Sequence, residues 1–333
     1  MTDLGALGPP PRTVHPDALL GPDSVAARLM LNPLTLLGGP RALLLQLAHP
    51  LVAAGVADHS NFQQAPFNRL LRTLSAIGTI GFADPETSQR ALEALAGTHS
   101  SVRGRSPEGR AYSAGDPRLA TWVHATIVDS YLLIDRLWLH QLTEAERAAF
   151  YVETLALGRA FGARVRAGEP PGQPGGGAGQ PGGAGLPGAR AGPPGGGAGP
   201  DELPGDLAGF EAWMGARMGD LEVSEQARSM APDVMRPPLS AVWRRLGPPA
   251  EHVAWPFMAA ATAEMLPPHL CRAYRLEGRR YLRHGRRPAL VATRVAVRTV
   301  APPWRRLGRR VGPRPDLPTR VAAVLTGQPL TAR

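Results

Sequence analysis

The chain has 333 residues with 43% hydrophobic content, enough to bury a sizeable core, which excludes a wholly disordered chain and a disulfide miniprotein. Its single cysteine, Cys271, can form neither an intrachain disulfide nor a multi-cysteine metal site, so zinc ribbons and iron–sulfur clusters are excluded too. All 37 basic residues are arginine, and the formal charge of +10 is uneven: residues 1–169 hold 15 arginines against 15 acids, and 272–333 hold 16 against 2.

The first residues, MTDLGALGPPPRTV, lack the basic-then-apolar pattern of a signal peptide, so a cytoplasmic protein is expected. Residues 1–35 read as an N-terminal extension. The longest stretch without a formal charge outside the Gly/Pro-rich segment, 42–57, contains Gln46, His49 and Pro50 and is too short and too polar to span a bilayer unaided. It reads as a buried helix, a proline break and more helix. Asp84 before Pro85 starts a helix, with proline where its missing N–H costs nothing. Leu92, Leu95, His99 and Val102 then fall on one face, which turns His99 inward, with Arg103 one turn along the same side. Asp116 and Pro117 repeat the start signal for a helix to about residue 141, with Thr121, His124, Val128 and Tyr131 along one stripe. Thr143 and Glu146 form a capping box for a helix to about residue 165.

Residues 168–200 contain 23 glycines and prolines in 33 positions, a composition that predicts a solvated flexible segment. Short helical pieces follow around 207–218, 239–246 and 252–265, then the Leu266-Pro267-Pro268 break. The stretch 272–310 mixes arginines with Val, Ala and Leu in an amphipathic pattern, and 311–333 reads as a basic disordered tail. No run of alternating β-branched residues signals a sheet, so the predicted fold is all-α.

Among familiar chemical motifs there is no His-Glu-x-x-His, Glu-x-x-His, Walker loop or Gly-x-Ser-x-Gly, and Gly-x-Gly-x-x-Gly occurs only within the proline-bearing 168–200 segment, which is no phosphate cradle. What remains are histidines on apolar helical faces with arginines a turn away. Such histidines suit haem iron, whose porphyrin needs apolar walls and whose propionates need cations. They equally suit core histidines with backbone partners, and spacing alone does not decide between the two for His99 and His124.

An ordered series of segments narrows the choice. Gly38-Gly39-Pro40-Arg41-Ala42 leads into Gln46-Leu47-Ala48-His49-Pro50, followed by Asp58-His59-Ser60 and Arg69-Leu70-Leu71-Arg72-Thr73. Then come Thr98-His99-Ser100-Ser101-Val102-Arg103-Gly104, Tyr112-Ser113-Ala114-Gly115-Asp116-Pro117, Trp122-Val123-His124-Ala125-Thr126 and Leu266-Pro267-Pro268. In that order, across residues 36–274, they resemble the MpaB family, which shares its catalytic domain with the latex-clearing rubber oxygenases. The resemblance implies one catalytic domain over 36–310, all-α and enclosing a b-type haem, with 168–200 as an insertion.

In the rubber oxygenases the haem activates dioxygen and cleaves an isoprenoid carbon–carbon double bond to two carbonyls. Their proximal histidine lies in a His-x-x-x-Arg segment matched by His99 and Arg103. Their Arg-x-x-Lys-Thr segment, whose lysine can take the distal iron position, is matched by Arg69, Arg72 and Thr73. Here arginine replaces lysine, and a guanidinium has no lone pair to give to iron, so Arg72 is expected near the iron without ligating it. His49 is the candidate for the distal side, as readily a residue that caps local backbone, and His124 is the alternative iron ligand.

The resemblance therefore implies a haem-b oxygenase that takes dioxygen and an apolar, perhaps isoprenoid, substrate. The competing readings are a haem sensor without turnover and a helical protein without haem that associates with membrane surfaces. The arginine-rich C-terminal region lacks interleaved aromatics and any reading motif, so nucleic acid is not expected, and peripheral membrane contact suits it better.

Overall fold

The computed structural model describes residues 14–59, 66–166, 201–235 and 259–276, with the backbone alone at 66–72. The insertion 168–200, the helical pieces expected at 239–246 and 252–258, the amphipathic region beyond 276 and the 311–333 tail lie outside the described residues. Most described residues are helical: α1 (Val25–Met30), α2 (Gly39–Leu47), α3 (Pro50–His59), α4 (Pro66–Phe82), α5 (Pro85–Ser100), α6 (Pro117–Ile134), α7 (Glu144–Ala160), α8 (Leu207–Gly219), α9 (Glu225–Met235) and α10 (Pro268–Ala273). The exception is a two-stranded antiparallel hairpin, β1 (Arg103–Arg105) and β2 (Ala111–Ser113), pairing Arg103 with Ser113 and Gly104 with Tyr112. Its strands are three residues each, too short to carry an alternating signal, and its turn closes at Gly109 with φ 79°.

The helix starts follow the predicted chemistry. Asp84 Oδ1 accepts the Thr87 N–H at 2.9 Å, Asp116 Oδ1 accepts the Arg118 N–H at 2.9 Å, and Thr143 and Glu146 form the reciprocal capping box. Helix ends came earlier than periodicity suggested. α6 stops at Ile134 and passes through a π-helical turn, Asp135–Leu139, to a left-handed His140; α7 stops at Ala160, just before the left-handed Gly162.

The centre of the molecule is α6 with α2 packed along one side and α7 along another. Leu44, Leu45 and Leu47 of α2 are fully buried, each contributing about 1.5–3 kcal/mol by leaving water. A row of polar contacts sets the register: the Trp122 indole N–H donates to the Leu45 carbonyl at 3.2 Å and Gln46 Nε2 donates to Thr126 Oγ1 at 3.1 Å. Arg41, 3% exposed, donates to Ser130 Oγ and to the Met265 carbonyl and pairs with Asp129 at 2.6 Å. The 42–57 stretch is a buried helix, a break and a second helix, as its sequence suggests. α2 and α3 meet at 103°. Among the described residues no single helix is long and apolar enough to cross a membrane.

A second clasp closes α6 onto α7. Asp135, wholly buried, accepts the Gln141 and Leu142 backbone N–H groups on one oxygen and the Arg147 guanidinium on the other at 2.9–3.0 Å. Residues read as an extension also join the core: Leu20, Ala26, Ala27 and Leu29 are buried, α1 packs on α7, and Glu153 of α7 accepts the Ala26 N–H at the start of α1 at 2.7 Å.

Candidate functional site

Four of the seven candidate residues belong to one helical hairpin. α4 and α5 are joined by only Ala83 and Asp84 and pack against each other. Arg69, Arg72 and Thr73 stand in the N-terminal half of α4, where Thr73 is exposed, and His99 stands in the last turn of α5. The β-hairpin begins immediately afterwards and carries Arg103.

The structure corrects two parts of the reading of this segment. His99 is exposed rather than turned inward, because α5 ends at Ser100 and only its first half is covered: Ser88 and Ala91 are its buried residues. Arg103 does not lie one helical turn beyond His99, because the chain has left the helix and Arg103 is the exposed first residue of β1. The two are linked through the backbone instead. The Val102 N–H donates to the His99 carbonyl at 3.0 Å and the Ala114 N–H donates to the Val102 carbonyl at 2.8 Å.

His124 occupies the opposite environment. The stripe Thr121, His124, Val128 and Tyr131 is buried throughout, as predicted, and His124 is 5% exposed. Its Nε2 has no hydrogen-bond partner, and desolvation alone holds the imidazole down to a pKa of about 4. The ring lies in a notch on α7 that exists because residue 158 is glycine. A Cβ there would stand 2.9 Å from Nε2 and 3.0 Å from Cδ2. An iron bound at Nε2 would need a flat macrocycle across the space that the α7 backbone fills. With α6 and α7 packed in this way, His124 Nε2 faces the α7 backbone and leaves no open space for a haem, whereas His99 is exposed.

His49 lies at the junction of α2 and α3, and its backbone carbonyl accepts the Ala53 N–H at 3.0 Å, a bond that any residue there would make. Its Nδ1 is also buried without a partner. Burial and then the Arg110 charge lower its pKa, so the ring is neutral at physiological pH, with Asp116 and Arg118 its other charged neighbours. It is half-buried, with an unspent donor or acceptor. Among the described residues no group of three or more His, Cys, Asp or Glu side chains is arranged to hold a metal ion.

Other polar residues around the hairpin carried no assigned role in the sequence. The Tyr112 hydroxyl donates to Asp58 Oδ2 at 2.6 Å, and His59, in the last turn of α3, bonds through Nε2 to the Arg103 carbonyl at 3.0 Å. Gly158 and Gly104 were equally silent, since a glycine that accommodates a ring looks in sequence like any other glycine.

A mostly helical domain with buried polar clasps and an exposed histidine beside a three-residue-strand hairpin is the class of protein these features define. The family model described as ER-bound oxygenase mpaB/B'/Rubber oxygenase, catalytic domain, matches residues 27–302, which takes in α2 to α10, and the chain belongs to that family. Searches among curated proteins and among solved structures found no match.

Proposed function

We propose that this oxygenase domain is haem-dependent, with a b-type haem held by His99 at the open end of the α4–α5 hairpin. The observation that carries the reading is the pairing of an oxygenase catalytic-domain match over 27–302 with an exposed His99 on α5, the helix packed on the α4 that bears Arg69, Arg72 and Thr73. When bound, the haem supplies the activation of dioxygen. The chain supplies the rest. His99 holds iron through a ring nitrogen, and Arg103 and Arg69 offer cations to propionates, each such charged hydrogen bond contributing about 1.5–3 kcal/mol.

Arg72 stays protonated and would bind no iron, so with the Thr73 hydroxyl it would donate hydrogen bonds to bound dioxygen. His49, kept neutral by burial, is the candidate for a second nitrogen toward a bound haem. The substrate class is apolar, with an isoprenoid double bond cleaved to two carbonyls as the leading reaction. The arginine-rich C-terminal region suits a peripheral membrane contact from which such a substrate is drawn, in a protein working in the cytoplasm. The test is an absorption spectrum of protein produced with ample haem. A Soret band at close to one non-covalent haem per chain, with carbonyl products from an isoprenoid oligomer under oxygen, supports the reading. A stable haem with no turnover converts it to a sensor, and a colourless protein that refuses haemin overturns it.

A further inference from the structure

The β-hairpin after α5 is short, mostly exposed and rich in charge, a composition that does not hold a fixed position by itself. One side chain anchors it. Tyr112, at the centre of β2, is 5% exposed, and its hydroxyl reaches Asp58 in the last turn of α3. The ring lies across its cross-strand neighbour Gly104, where a Cβ would meet the Tyr112 oxygen at 2.5 Å and Cζ at 2.8 Å. On its other side is Gly55, one turn before Asp58, whose Cβ would stand 3.5 Å from the ring. Glycine at 104 therefore lets the tyrosine pass between helix and hairpin, while a Cβ at 55 would only touch the ring at van der Waals distance. The His59 ring meets Tyr112 edge-on with centroids 6.0 Å apart, while its Nε2 bonds to the Arg103 carbonyl. Burial and the Asp58 carboxylate push the Tyr112 hydroxyl up to about 12, so it remains a donor across the physiological range.

These contacts form a chain of rigid links. Asp58 holds Tyr112, β2 holds β1, Ala114 holds Val102, and Val102 holds the carbonyl of His99. We infer that Tyr112 is a positioning residue for the candidate site, anchored by Asp58 and seated by Gly104, and that it fixes Arg103 and the end of α5 that presents His99. The inference rests on the haem reading above for what is positioned, and on the hydrogen bonds alone for how.

Tyr112→Phe keeps the ring and removes only the hydroxyl, Gly104→Ala displaces the ring and keeps the hydroxyl, and Asp58→Asn keeps an acceptor. In haem-free protein, amide hydrogen exchange at residues 103–113 is expected to quicken about tenfold in Tyr112→Phe and Gly104→Ala, with α6 and α7 unchanged, and to recover most of the way to wild type in Asp58→Asn. In haemin-loaded protein the first two variants are expected to lose haem to apomyoglobin at least tenfold faster and to show shifted paramagnetic resonance g-values. Unchanged hairpin exchange in Tyr112→Phe overturns the anchor. A loosened hairpin with unaltered haem loss and g-values overturns the positioning role while leaving the haem reading intact. A wild-type chain that takes no haemin fails the haem reading itself, and with it anything positioned toward haem.

Discussion

His99 and His124 sit on helices that look alike in sequence, each begun by an Asp-Pro pair and each carrying its histidine on an apolar stripe. In the structure one is exposed at a helix end and the other is sealed between two helices. The difference is made by what packs on each helix. α6 is covered on two sides, by α2 through the Leu45–Trp122 and Arg41–Asp129 contacts and by α7 through Asp135–Arg147, so its stripe is buried to its last residue. α5 has α4 along it and little over its final turn, where the chain turns out into the hairpin. A stripe shows which way a helix faces, and the neighbouring elements decide how far along it the cover extends. A buried imidazole with an orphaned nitrogen resembles a ligand on paper, yet the glycine notch packs His124 against α7, and the proposed haem reading therefore uses the exposed His99.

That contrast can be broken first at the closed region. Asp135→Ala strands the Arg147 guanidinium and two backbone N–H groups, and a loss of about 3–5 kcal/mol is expected from urea unfolding. A loss below about 1 kcal/mol would mean that the α6–α7 clasp is not what seals His124.

Acid sharpens the comparison next. The folded His124 titrates near 4 and the unfolded one near 6.5, so between these values the unfolded chain binds a proton that the folded chain refuses. Stability is therefore full above pH 6.5 and falls as pH drops to 4, by on the order of 3 kcal/mol, with His49 adding in the same direction. His124→Leu should flatten most of this slope. Glu146 acts in a lower window: its carboxyl, bonded to Thr143 and Arg28, is held at about 2, so its contribution disappears only as pH falls from 4.5 toward 2. Equal slopes in wild type and His124→Leu would place His124 in a wet environment.

A smaller effect is expected at the notch. Gly158→Ala gains helix propensity of about 1 kcal/mol but drives a Cβ to 2.9 Å from His124 Nε2, for a net loss of about 1–2 kcal/mol in thermal or urea unfolding. In the double variant with His124→Ala the loss from the added methyl should vanish. Smallest of all, His99→Ala should change stability by less than about 0.5 kcal/mol, as for any exposed side chain.

Much of this fold was legible in the sequence, and the reasons are local. Asp84, Asp116 and Thr143 announce helix starts because a side-chain oxygen satisfies backbone donors within its own turn, and Pro50 announces the break between α2 and α3 for an equally local reason. The hairpin was not legible: its register depends on Tyr112 reaching Asp58, 54 residues away in the chain, and its three-residue strands carry no period. The early end of α6 was hidden for a related reason, since Asp135 gives up the helix to bind backbone at 141 and 142 and a guanidinium on the next helix. At the site, the ordered segments led to the residues themselves. Their exposure, and therefore the choice between His99 and His124, depended on contacts between helices.

The most direct test of the account is a haemin titration of three proteins side by side, followed at the Soret band: wild type, His99→Ala and His124→Leu, each first confirmed folded by circular dichroism. The account predicts saturation near one haem per chain for wild type and for His124→Leu, and at least a hundredfold weaker binding for His99→Ala with its fold intact. Full haem binding by His99→Ala together with its loss in His124→Leu would contradict the account, placing the iron between α6 and α7 and requiring those helices to part around it.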